Sequence, residues 1–359
     1  TGMSSPVDCR DRSQRQIMWE QAQFQPGGDD PVAKLADVAR GATTDCTDSI
    51  SPGESAYDNT HAAADLERLR STWDVPALAL IGVGSGAQLA LAYAGAYPDK
   101  VARLVLDSPI APGVAAEAAA EHRVKGEQDA LDAFAAQCLA VNCALGPDPK
   151  GAVDAILAAA RSGKGPGGVS AATVTHAVVA TLGYPTGDRV GNTIGLANAL
   201  AAARTGDINL LTNLINRAEG ITGTDGYFIN SCADALDRPT PDRIRELVVA
   251  WGKLYPQFGR VGALDLVNCL SWPSSSAPDE AKDLKIEVML LGVQDDPIVG
   301  AEGVAASAAT VINAGTASKR VMWQGIGHGA SIYSSCPVPP VTSYLDDGKL
   351  PETDVYCPA

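Results

Sequence analysis

What this 359-residue chain lacks narrows its function first. No stretch approaches 18 uninterrupted apolar residues, so no membrane-spanning helix is expected. Basic residues are scarce, 27 Lys and Arg against 42 Asp and Glu, which leaves a net charge of −15. Nucleic acid or an anionic membrane surface would need a basic face, and neither is expected as a partner. The acidic residues are spread along the chain rather than gathered in runs, and solubility is their plain role. No two cysteines stand at C-x-x-C spacing and none has a histidine at zinc-finger spacing, so no metal site is expected. There is no internal repeat and no charged-then-apolar leader. The opening Thr1-Gly2-Met3-Ser4-Ser5-Pro6 reads as the continuation of something longer, either a processed protein or a fragment.

What is present is enough for a sizeable core. The chain is 46% apolar and long enough for one large domain with an insertion or for two modest ones. Eight cysteines fall into the sequential couples Cys9–Cys46, Cys138–Cys143, Cys232–Cys269 and Cys336–Cys357. Eight cysteines allow 105 pairings, so order along the chain is the basis of this expectation. Four disulfides imply an oxidising compartment, and the expected location is secreted or cell-envelope.

Periodicity divides the chain in three. Residues 10–40 read as helical up to a break at Gly27-Gly28, residues 46–57 as loop, and residues 62–73 as an amphipathic helix. A strand over 77–83, a helix over 87–97 closed by Pro98, and a strand over 101–106 form a βαβ unit, hence a parallel sheet. From 113 to 275 the chain is Ala-rich and helical, with no strong strand, and a polar linker runs from Pro273 to Pro278. The α/β pattern then resumes: strand 287–291, helix 300–314, strand 320–323 and a loop holding Gly327-His328-Gly329. The expected layout is an α/β core over 1–112 and 276–359, interrupted by a helical cap over 113–275.

Chemistry concentrates at Gly82-Val83-Gly84-Ser85-Gly86-Ala87, a glycine-packed turn between strand and helix. α/β-Hydrolases present their nucleophile on such a turn, with small residues two before and two after it. Gly82 and Gly86 frame position 84, which is glycine, while the hydroxyl sits on Ser85. Acyl transfer also needs a histidine to take the proton and a carboxylate to orient it, in the chain order Ser, Asp, His. Ser85, Asp296 and His328 follow successive strands in that order and form the expected triad, with Asp295 as a one-residue rival for the acid. His176, inside an apolar segment, reads as structural, and His61 and His122 as surface residues. Asp107 at a strand end reads as a capping or turn residue.

These segments together resemble the secreted actinobacterial tripeptidyl aminopeptidases and related carboxylesterase-like proteases of the α/β-hydrolase superfamily. The resemblance rests on Thr1-Gly2-Met3-Ser4, Ala62-Ala63-Ala64-Asp65-Leu66, Pro98-Asp99-Lys100-Val101 and Leu104-Val105-Leu106-Asp107. It continues through Cys232-Ala233-Asp234, Cys269-Leu270-Ser271-Trp272-Pro273, Asp296-Pro297 and Gly327-His328-Gly329 to the tail from Cys336 to Tyr344-Leu345. It implies an exported serine hydrolase, aminopeptidase-like or esterase, acting on peptides or esters with no metal or cofactor. It also implies that Asp234 anchors a substrate amine, that one oxyanion donor lies upstream of Thr1, and that an N-terminal segment of the same protein completes the sheet.

The chain departs from that family in its elbow. The family's Gly-x-Ser-x-Gly pattern puts Gly84 where the serine belongs, and Ser85 where a backbone N–H joins the oxyanion hole. Two readings therefore stand: a serine hydrolase working through Ser85, or a catalytically silent hydrolase-fold binding protein of the cell envelope.

Overall fold

A computed structural model describes residues 6–25, 30–273 and 278–359. The Thr1–Ser4 segment, the Gly27-Gly28 break and residues 274–277 of the linker lie outside the described residues. The chain opens with α1 (Arg12–Trp19), α2 (Pro31–Ile50), α3 (Asn59–Thr72), β1 (Leu78–Val83), α4 (Ser85–Ala96), β2 (Val101–Asp107) and α5 (Ala116–Ala140). Further helices follow with no strand among the described residues: α6 (Pro149–Arg161), α7 (Ala171–Gly183), α8 (Arg189–Arg204), α9 (Asn209–Thr222), α10 (Asp225–Ala233), α11 (Pro241–Leu254) and α12 (Gly259–Asp265). Alternation resumes with β3 (Val288–Asp295), α13 (Glu302–Asn313), β4 (Ser318–Ile326), α14 (Ala330–Tyr333), α15 (Val338–Asp347) and β5 (Val355–Cys357).

The strands form one parallel sheet in the order β1-β2-β3-β4-β5. Alternate side chains on each strand reach opposite faces, and the core is built on that period of two. Leu104, Leu106, Val288 and Leu290 pack with Leu91, Tyr93 and Ala94 of α4 and with Val304 and Val311 of α13. Val105, Met289, Leu291 and Val293 pack instead with Val341 and Tyr344 of α15. Both faces of β2 and β3 are therefore covered, which is why Leu104–Leu106 and Val288–Leu291 read as continuous apolar runs. The buried Tyr344 hydroxyl accepts from the N–H of Leu104 at 3.1 Å and donates to the carbonyl of Glu287, joining α15 to the sheet. Among the described residues strand β1 pairs only with β2, and Ile81 on it is half exposed. Cys336–Cys357 ties the approach to α15 to β5. This is the α/β-hydrolase type of core that the sequence implied.

Contacts divide the chain into two units, one within Thr1–Ser55 and Glu127–Ser274, the other Ala56–Gly126 with Ser275–Ala359. These boundaries differ from the expected 1–112, 113–275 and 276–359. Helices α1 and α2 belong to the helical unit because a buried ion pair and a disulfide hold them there. Asp225 at the start of α10 accepts from the N–H of Cys9 at 2.6 Å, the N–H of Arg10 at 3.0 Å and Nε of Arg10 at 2.7 Å. Cys9–Cys46 then joins this segment to α2. That helix runs four residues past Cys46, where a loop was expected. Ala39, Ala42, Thr43 and Cys46 are all buried, at the i, i+3, i+4, i+7 spacing of one helical face. Cys138–Cys143 and Cys232–Cys269 are the other two bridges of this unit, and all four couples are those suggested by order along the chain. Among the described residues no helix is long and apolar enough to cross a membrane.

Candidate active site

Gly84 is the corner between β1 and α4. Its φ of 58° and ψ of −120° lie in a region nearly closed to residues with a side chain. The N–H of Gly84 donates to the carbonyl of Asp107 at 3.0 Å, which anchors the corner to β2. Tightness here falls on Gly82, where a Cβ would lie 2.2 Å from the carbonyl oxygen of Gly86 and 2.7 Å from Cα of Ala87. A Cβ on Gly86 would meet nothing within 4 Å. The residue compelled to be small thus stands two before position 84, which marks Gly84 as the apex.

A Cβ built on that apex would lie 2.7 Å from Nε2 and 3.0 Å from Cε1 of His328. Imidazole Nδ1 lies 3.0 Å from Oδ2 and 3.2 Å from Oδ1 of Asp296, with both side chains buried. Asp296 follows β3 directly, and its Oδ1 also accepts from the N–H groups of Ile298 at 2.9 Å and Val299 at 3.2 Å. Glycine lets neighbouring chain crowd this loop: a Cβ on Gly126 would lie 2.1 Å from the carbonyl of Asp296. Asp296 is thus the acid whose carboxylate meets Nδ1 of His328. With Nδ1–H donated to the carboxylate, Nε2 carries its lone pair toward Gly84 and can accept a proton.

The expected nucleophile is placed differently. Ser85 is the first residue of α4 and is exposed, and its hydroxyl makes no hydrogen bond to His328 or to any other described residue. The structure thus brings Asp296 and His328 to Gly84 and leaves Ser85 one position past the corner. The physical reason is the register of the turn, set by Gly82.

Sequence reasoning undervalued Asp107. Its carboxylate, wholly buried at the end of β2, accepts from the N–H of Ala330 at 2.9 Å, the N–H of Ser331 at 2.8 Å and the Ser331 hydroxyl at 2.6 Å. It does cap a helix, as expected of it, but that helix is α14, more than 200 residues away, immediately after His328. Ser108, held at a φ of 45°, accepts from the N–H of Gly329 at 3.0 Å. Asp107 therefore touches the elbow through its backbone and the histidine loop through its side chain. The one signal in the sequence was an ionisable residue ending the apolar run Leu104-Val105-Leu106.

The remaining candidates lie elsewhere. Asp234 is the residue capping the C-terminal end of α10 in the helical unit, half-buried. His176 packs against Trp19 with tilted rings whose centroids lie 4.4 Å apart, and exposed His61 pairs with Asp58 at 2.8 Å. Cys9, Cys46 and Asp225 cluster within 4.8 Å, but both sulfurs are spent in a disulfide and the carboxylate in the Arg10 pair.

Two family models match parts of this chain. Residues 43–148 match the alpha/beta hydrolase fold and residues 255–357 match TAP-like protein. Serine protease Hip1 of Mycobacterium tuberculosis H37Rv and of Mycobacterium bovis is 30% identical over 125 residues, 34% of this chain and 24% of the relative. The match thus spans about a quarter of the length of these curated relatives. The fold is of the α/β-hydrolase type. Within that class, residues 255–357 are similar to the TAP-like family.

Proposed function

We propose that the protein is an exported hydrolase of peptide or ester bonds whose acid–base pair is Asp296 and His328, acting at the corner formed by Gly84. The observation that carries this reading is Nε2 of a buried, carboxylate-oriented histidine standing 2.7 Å from the Cβ direction of the elbow apex. A buried imidazole–carboxylate pair is expensive to desolvate. Here it lies at the strand ends where the fold places its chemistry. The TAP-like match and the similarity to a protein named a serine protease support a hydrolase. Four disulfides support an oxidising compartment, hence export. The substrate class implied is a peptide or ester carbonyl, and the chemistry asks for no cofactor.

A second reading is favoured by one specific observation, the missing hydroxyl at position 84. On that reading the protein binds acyl ligands at the same corner without cleaving them, as a silent hydrolase-fold protein of the cell envelope.

Assays of the full chain on free-amine tripeptide anilides and short-chain p-nitrophenyl esters separate the two. Turnover that falls by about 10²–10⁴-fold in His328→Ala is expected for a general base. Binding of these compounds with no turnover above the His328→Ala background selects the silent reading.

A further inference from the structure

We propose that Gly126 of α5 is a positioning residue for Asp296: it lets the helix backbone seat the acid loop so that the carboxylate meets His328, with Lys125 as the tether. This deepens the hydrolase reading above and rests on it. The loop that carries the acid runs from the end of β3 to Glu302 in the first turn of α13. Its own bonds fix its shape. The Asp296 carboxylate accepts from the N–H groups of Ile298 and Val299, and the Asp296 carbonyl accepts from the N–H of Gly300 at 3.1 Å. Its placement against the histidine needs contacts from outside it, and residues 116–126 of α5, which belong to the same unit, supply them.

The seat is backbone against backbone. Gly126 is buried, and a Cβ there would lie 2.1 Å from the carbonyl oxygen of Asp296 and 2.9 Å from Cα of Gly300. The fit is reciprocal. Gly300, at a φ of 77°, would place a Cβ 2.4 Å from the carbonyl oxygen of His122, one turn before Gly126. No rotamer change on either side relieves such a contact. Glycine in a helix interior is unfavourable beside alanine, and close approach to the acid loop is what it secures here. Next to it, Nζ of Lys125 donates to Oε1 of Glu302 at 2.7 Å. Burial pushes the Glu302 carboxyl up, but the bond from Lys125 outweighs it and holds the group below its usual value, so the tether is an ion pair at neutral pH. The helix thus grips the loop at both ends, at the acid itself and at the start of α13.

The test reads the Asp296–His328 bond directly. The Nδ1 proton of an imidazole bound to a carboxylate gives a downfield proton resonance, assigned here by its absence from His328→Ala. In Gly126→Ala on the full chain, checked as folded by circular dichroism, that resonance is expected to shift or broaden. The kcat for p-nitrophenyl acetate is expected to fall by about 10–10²-fold at unchanged KM, the scale of a misplaced catalytic group. A purely structural role would lower the folded fraction and leave the resonance of that fraction in place. A folded Gly126→Ala with wild-type resonance and kcat overturns the proposal. Should Gly126→Ala not fold, Lys125→Met, which leaves the glycine contact intact, is expected to broaden the same resonance, and Lys125→Glu combined with Glu302→Lys to restore it. An unchanged resonance in Lys125→Met then overturns the proposal. A resonance lost in these variants of a protein with no His328-dependent turnover supports the positioning role and overturns the hydrolase reading instead.

Discussion

The Cβ direction of Gly84 and the Nε2 atom of His328 meet at 2.7 Å, so the elbow apex and the imidazole face each other with no side chain between them. Gly84→Ser should therefore create a hydroxyl beside a histidine that Asp296 already orients. Serine at a φ of 58° is strained by about 1–3 kcal/mol, and the His328 side chain must shift to admit it. The expected outcome is a slightly less stable protein that gains fluorophosphonate labelling, read by intact mass. A variant that folds but stays unlabelled would remove position 84 from the reacting corner.

The register of the elbow has its own test in the flanking glycines. Gly82→Ala forces a methyl group to 2.2 Å from backbone, which real structures do not tolerate, and overpacking of this kind costs about 1–3 kcal/mol. Gly86→Ala meets open space inside a helix, where alanine is favoured by about 1 kcal/mol over glycine. Thermal unfolding should thus move in opposite directions for the two. Equal destabilisation would place the apex elsewhere than 84.

How much of this was legible in the sequence differs from element to element. Strand 77–83, the helix after it and strand 101–106 agree with β1, α4 and β2 to within two residues, because apolar runs bounded by glycine and proline carry a local signal. The histidine and acid loops were legible for the same reason: each follows such a run. Less legible was the allegiance of α1 and α2. It depends on Asp225, a carboxylate more than 200 residues from the Arg10 it buries, and no local pattern encodes that pairing. The role of Asp107 was hidden likewise, since its partners at Ala330 and Ser331 are supplied by the fold. Register at the elbow was legible as a framing by glycines, but which glycine is compelled needed the backbone of α4.

Asp107 supplies the next prediction. Three donors converge on one buried carboxylate, and hydrogen bonds to a charged group contribute about 1.5–3 kcal/mol each. Asp107→Ala leaves the first N–H groups of α14 without partners and frees the loop that carries His328. A loss of about 3 kcal/mol in chemical denaturation is expected, with catalysis in the folded fraction reduced as well. Asp107→Asn retains one accepting oxygen and should recover part of both. If the alanine variant were as stable as the wild type, the proposed brace between elbow and histidine loop would not exist.

Acid should unfold the helical unit through Asp225. Burial alone pushes this carboxyl up, but the N–H groups of Cys9 and Arg10 and the Arg10 guanidinium outweigh it and hold the carboxyl below its usual value. Because the folded value lies below the unfolded one, near 3.9, the protein binds fewer protons at this site when folded than when unfolded. The stability it contributes is therefore complete above about pH 4 and is lost as pH falls through the folded value. At pH 7, Asp225→Asn leaves the Arg10 guanidinium buried without its counter-charge, which costs about 3–5 kcal/mol for a buried pair. The gap in thermal stability between variant and wild type should then narrow steadily below pH 4, as the wild-type carboxylate itself is neutralised. A gap that stayed constant from pH 7 down to pH 2 would show that Asp225 is not the group whose protonation loosens this unit.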